Sequence, residues 1–170
     1  MNEYKKSIFW RRIIAFIIDI AILFPIGFLI AFLIDFITSG APVTPFEVYI
    51  RTVISFSIPF WMYSILSDYS KSGSSLGKKI MKIQVVSSEQ GKLKLHQAIS
   101  RTAVKLIPWE MVHISFFALS EGWGIFSITQ IILIIILNVL ILIYIIFVIK
   151  MKGFKAIHDL IPKTQVKLKN

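Results

Sequence analysis

Four stretches of the chain are apolar almost without a break, and the segments between them are polar and basic. They run roughly over residues 13–37, 49–66, 102–119 and 125–149. A helix needs about 20 apolar residues to cross the hydrocarbon layer of a bilayer, so each stretch is read as a membrane span. Phe9 and Trp10 sit at the inner edge of the first, as interfacial aromatics do. Ser39-Gly40-Ala41-Pro42 ends it. The second is rich in aromatics and carries Pro59, which predicts a kink. The third is the least apolar, holding Lys105, Pro108, Glu110 and His113. The fourth has Asn138 as its only strongly polar side chain.

Residues 67–101 differ in kind. They are polar and basic, with a turn-forming run at Ser70–Ser75. Ile80–Val86 and Leu93–Leu95 lean towards strand around Ser87-Ser88-Glu89-Gln90-Gly91, which predicts a small hairpin at the membrane surface. The expected architecture is a single all-α membrane domain over residues 1–170. It has four transmembrane helices, a small β-hairpin in a central cytoplasmic loop and a basic tail at 150–170.

Charge orients this arrangement. The chain has 19 Lys and Arg against 9 Asp and Glu, a net charge of +10. With an inside N-terminus and four crossings, four basic residues fall in the N-terminal segment, seven in the central loop and six in the tail. Lys105 lies near the inner end of the third span, and only Arg51 falls outside. That is the positive-inside bias, and it argues that the weak third span crosses. The same excess suits anionic lipid headgroups. No motif accompanies it that would point to nucleic acid. The first apolar stretch is too long for the core of a cleaved signal peptide and carries Asp19, so it is read as retained. There are no cysteines, which excludes disulfides, thiolate metal sites and a catalytic thiol.

Polar groups within spans are costly and therefore informative. Arg12 and Asp19 are seven residues apart, on one face of the first helix, with Ala15 between them. Glu110 and His113 share a face of the third. Counted along their helices, Asp19 and Glu110 lie at similar depths, so they are candidates to meet inside the bundle and hold a proton or cation. The competing reading is a hydrogen-bonded network that only fixes helix packing. Asn138 reads as interhelical glue. Glu110 and His113 form one E-x-x-H pair, and a di-iron bundle needs two copies with further glutamates, so no metal or other cofactor is expected. The chain has no Gly-rich phosphate loop, no G-x-S-x-G and no H-E-x-x-H, so no enzymatic activity is expected either.

Several of these residues also fall into a known order. Arg12 to Asp19 resembles the opening R-x-x-A-x-x-x-D of the RDD family, small bacterial and archaeal membrane proteins named for one arginine and two aspartates. Ser75-Leu76-Gly77-Lys78 is similar to that family's T-x-G-K stretch, and Lys82–Val86 to the strand-like segment after it. Arg101 fits the arginine opening the next helix, and Pro108-Trp109-Glu110 with His113 a P-W-E-x-x-H pattern of one branch. His158-Asp159 with Thr164 and Val166 resembles the closing H-D-x-x-x-x-T-x-V, from which Pro162-Lys163 departs.

The resemblance implies a multi-pass protein of the bacterial cytoplasmic membrane with both termini cytoplasmic. Asp159 is the favoured second aspartate, with Asp68 as the other candidate. Asp159 is expected to pair with Arg12 or Arg101 at the inner interface, Gly77 to provide a tight turn, and Lys78 and Lys79 to hold lipid phosphate. For activity the family offers two expectations. One is an accessory or regulatory protein acting on a membrane-protein partner or as a homo-oligomer. The other is a sodium/proton antiporter working through Asp19 and Glu110.

Overall fold

The computed structural model describes residues 3–38, 40, 42, 44–89, 92–118, 127–150 and 156–169. It is mostly helical. Helix α1 (Glu3–Ile37) is continuous through Pro25. A second helical run comprises α2 (Pro45–Thr52), a π-helical turn at Val53–Ser57 and α3 (Ile58–Tyr69). A short α4 (Leu76–Ile80) and strand β1 (Ile83–Ser87) follow. Next come α5 (Leu95–His113), continued by a π-helical turn at Ile114–Ala118, and α6 (Ile128–Lys150). The short α7 (Ile157–Leu160) and β2 (Thr164–Leu168) close the chain. Gln90 and Gly91 of the expected hairpin turn, Leu119 at the end of the third expected span, residues 125–126 at the start of the fourth and 151–155 of the tail lie outside the described residues.

The second helix begins at Pro45 because Thr44 caps it. The Thr44 hydroxyl accepts the Glu47 N–H at 3.2 Å, and Glu47 accepts the Thr44 N–H in return. Pro59 does not interrupt the run. The π turn just before it widens the backbone where a proline ring would press on the carbonyl four residues back. Further along α1, Gly27 lets the Phe56 ring against the helix; a Cβ there would sit 2.4 Å from that ring. Phe24 and Phe28 flank Phe56 at centroid separations of 5.6 and 5.3 Å.

The expected hairpin within the central loop is not formed. Strand β1 pairs antiparallel with β2 from the C-terminal tail, with Ile83 opposite Leu168 and Val85 opposite Val166. Leu93 is buried in the core and Leu95 already belongs to α5, so the second half of the expected hairpin is spent on a helix start. Burial explains the choice of partner. Ile83, Val85, Ser87, Thr164 and Val166 are buried while the residues between them are less so, giving both strands one inward face. Helix α5 accordingly starts two turns earlier than the expected span at 102, and Gln97, Ala98 and Arg101 are buried in those turns.

A cluster of buried apolar side chains lies at one end of the molecule. Ile8 and Ala15 of α1 meet Ile83 and Val85 of β1, Leu93, Ala98 of α5 and Val166 of β2. Elsewhere the helices turn large apolar side chains outwards: Phe28 and Phe32 of α1 are 62% and 65% exposed, and Ile135 of α6 is 58% exposed. Among the described residues, Ile8–Ile37 is long and apolar enough to cross a membrane.

Candidate functional site: buried charge at one end of the bundle

The core end also holds a chain of alternating charges drawn from five elements. Arg12 of α1 donates through Nη2 to Asp159 Oδ2 of α7 at 2.7 Å. Arg101 of α5 donates to the other oxygen of Asp159 and, through Nε, to Asp68 Oδ2 at the end of α3 at 3.0 Å. Lys78 of α4 ion-pairs with the remaining oxygen of Asp68. Asp159 has no exposed surface, and its carboxylate also accepts the Ala156 N–H at 2.8 Å. Arg101 further donates to the Thr164 hydroxyl of β2 at 3.0 Å. The order is cation, anion, cation, anion, cation, so each buried charge faces its opposite.

These neighbours set the protonation states. Burial alone would push the Asp68 carboxyl up, but Lys78 and Arg101 hold it below its ordinary range. Burial, reinforced by Arg101 and Arg12, drives His158 well below the ordinary imidazole value. His158 is therefore neutral, and its Nε2 lies 3.1 Å from Arg12 Nη2.

Asp19 forms a separate node one level deeper in α1. Its Oδ1 accepts from the Tyr63 hydroxyl at 2.7 Å and the Gly77 N–H at 2.8 Å, and its Oδ2 accepts from the Ser75 hydroxyl at 2.5 Å. The Tyr63 oxygen in turn accepts the Leu76 N–H at 2.9 Å. Ser75 caps α4, which brings the start of that helix onto the carboxylate. The approach depends on Gly77: a Cβ there would lie 2.0 Å from the Ala15 carbonyl oxygen of α1.

Glu110 makes a third node in the last turn of α5. It accepts from the Ser57 hydroxyl at 2.9 Å and the Trp61 indole N–H at 3.1 Å. His113 Nδ1 lies 3.9 Å away, and its ring meets Trp109 edge-on. Tyr49, Ile58, Trp61 and Met62 line an open groove of about 420 Å³ beside it. At the far end of α1, Asp35 pairs with Arg51.

Set against the sequence reading, Arg12, Arg101 and Asp159 are brought together, with Asp68, the other candidate aspartate, joined through Arg101. Asp19 and Glu110 are not brought together; each has its own donors. Lys78, expected at lipid phosphate, ion-pairs with Asp68, while Lys79 is exposed. Asn138 does not glue helices within this chain: it is exposed and bonds to the Ile134 carbonyl of its own helix at 2.8 Å. Sequence reasoning missed Tyr63, Ser57 and Trp61 as partners of the buried acids and Thr164 as a partner of Arg101. The i, i+4 spacing of Ser57 and Trp61 was the available signal for the Glu110 node. Among the described residues no group of His, Asp or Glu is arranged to hold a metal.

An arginine near the start of the first helix, an aspartate within it, and a late aspartate closing onto that arginine define a membrane-compatible helical domain sealed at one end by buried charge. The chain belongs to the RDD family, whose model matches residues 7–163. No curated protein and no solved structure matches it.

Proposed function

We propose that this chain is a four-span protein of the bacterial cytoplasmic membrane, with both termini cytoplasmic, that serves as an accessory or regulatory component and not as an enzyme or an ion exchanger. The observation that carries this reading is the occupancy of the buried acids. Asp19, Asp68 and Asp159 are each met on both oxygens by donors fixed in the fold. A carboxylate that shuttles a cation needs an open coordination face, and these have exchanged it for intramolecular bonds.

Length and charge support the four spans. The run from Pro45 to Tyr69 and the run from Leu95 to Ala118 each suffice to cross about 30 Å of hydrocarbon. Arg12 and Asp35 are separated along α1 by about 35 Å at 1.5 Å per residue, which sets the alternating charges and the Asp35–Arg51 pair at opposite interfaces. Outward-facing Phe28, Phe32 and Ile135 then meet lipid rather than water. Exposed Lys79, Lys82, Lys92, Lys94 and Lys167 surround the charged end and suit anionic headgroups or an acidic face of a membrane-protein partner.

Purified protein in proteoliposomes tests the assignment. The expected result is no proton movement under an imposed sodium or potassium gradient. A sodium-driven proton flux that disappears in Asp19→Asn would overturn it in favour of exchange.

A further inference from the structure

Asn138 stands on the outward side of α6. Gln130 and Leu137 of that helix are turned inwards and are 2% exposed, whereas Ile131, Ile135, Asn138 and Leu142 are all exposed. The spacing of those four residues, four then three then four, is the a/d repeat of paired helices, with one polar residue in an otherwise apolar seam.

The amide is only partly satisfied. Nδ2 donates to the Ile134 carbonyl, which leaves the second amide hydrogen and Oδ1 without a partner among the described residues. Lipid tails offer neither donor nor acceptor, so hydrocarbon alone is a poor neighbour for this face. The amide is, however, complementary in charge to itself: a partially negative oxygen and a partially positive hydrogen on one side chain. Two copies in one membrane share the same orientation, so their α6 helices run parallel and a two-fold axis sets Asn138 opposite Asn138.

We propose that the chain forms a homodimer through α6, in which Asn138 of each copy exchanges hydrogen bonds with Asn138 of the other. Ile131, Ile135 and Leu142 pack above and below the amides, and the pair fixes the register, as a single seam asparagine does in paired helices. This proposal rests on the reading that α6 crosses the bilayer.

The absence of native cysteine makes the test clean. Single variants Ile131→Cys, Ile135→Cys and Leu142→Cys on the seam, and Ile136→Cys and Ile143→Cys at exposed positions off it, are oxidised in native membranes. The expected result is disulfide-linked dimer at the three seam positions and little at the other two. Adding Asn138→Leu should lower the Ile135→Cys yield several-fold, and adding Asn138→Gln, which keeps an amide, should preserve much of it. Absence of dimer, equal crosslinking all round the helix, or a yield indifferent to Asn138→Leu would each overturn the proposal. A second measurement isolates the spanning assumption. Ile135→Cys should resist a membrane-impermeant maleimide in intact cells and in inverted vesicles. Labelling from either side would overturn the spanning reading itself, whereas protection without seam crosslinks would overturn only the dimer.

Discussion

Arg12 and Asp159 are 147 positions apart in the chain and form a 2.7 Å ion pair in which Asp159 is wholly buried. With Arg101 on the other oxygen of the same carboxylate, this contact ties the first helix, the third long helix and the closing segment into one unit. Removing the acid while leaving the buried Arg101 and part-buried Arg12 guanidinium groups in place is the costly case, because the charges remain and their partner does not. Asp159→Asn is expected to lower stability by about 3–5 kcal/mol, read as a lower melting temperature in detergent and lower abundance in the membrane. An unchanged melting curve would count against the role given to this pair.

Gly77 makes a geometric prediction. A methyl group there would drive into the Ala15 carbonyl, a backbone atom in mid-helix that cannot rotate away. Gly77→Ala should therefore cost at least about 1–3 kcal/mol, the range for overpacking, and shift α4 off Asp19. Gly40→Ala is the control, since nothing lies within 4 Å of a Cβ placed at Gly40. Equal melting temperatures for the two variants would contradict the close approach.

At Asp19 the three donors distinguish charge from shape. Asp19→Asn keeps the volume but sets an NH2 group against donors that need an acceptor. A loss of about 1–3 kcal/mol is expected, as for a buried polar group left unsatisfied. Tyr63→Phe removes one donor and should cost less, about 1 kcal/mol. Equal effects in the two variants would show that the carboxylate is not the centre of this node.

His158 gives the fold a pH dependence. In the unfolded chain it takes up a proton near its ordinary value of 6.5, whereas in the folded chain burial and the nearby arginines keep it neutral to well below that. A depressed folded value means that stability is fully present above about pH 6.5 and declines as pH falls, by up to about 1.4 kcal/mol per pH unit for one proton. Asp68 has a depressed value too, but its contribution is lost only as pH falls below the ordinary carboxylate value of 3.8. Between pH 6.5 and 5 the decline therefore belongs to histidine. Melting temperature measured across that window should fall for the parent chain and stay nearly flat for His158→Gln; parallel slopes would refute the assignment.

The helices are legible in the sequence because each apolar run is long and bounded by polar breaks. The hairpin misreading has a local cause. Strand periodicity in Ile83–Ser87 is visible, but its partner lies some eighty residues later, and five residues of alternating Thr164–Leu168 carry too weak a pattern to reveal the pairing. Depth along two helices sets Asp19 and Glu110 at one level but says nothing about rotation around those helices. The deciding features are a four-residue serine-glycine-lysine turn that caps α4 on Asp19, and the Ser57–Trp61 face presented to Glu110. Motif order implies a closure of Asp159 onto Arg12 or Arg101 but does not choose between them, and the carboxylate takes both, one on each oxygen.

A double-mutant cycle between Arg12 and Asp159 tests most directly whether buried charge seals this end of the bundle. Melting free energies are compared for the parent chain, Arg12→Gln, Asp159→Asn and the double variant in one detergent. Direct contact predicts a coupling of about 1–3 kcal/mol, with the double variant less damaged than the two single losses together. Strict additivity, within about 0.5 kcal/mol, would show that the two residues do not interact and would contradict the account.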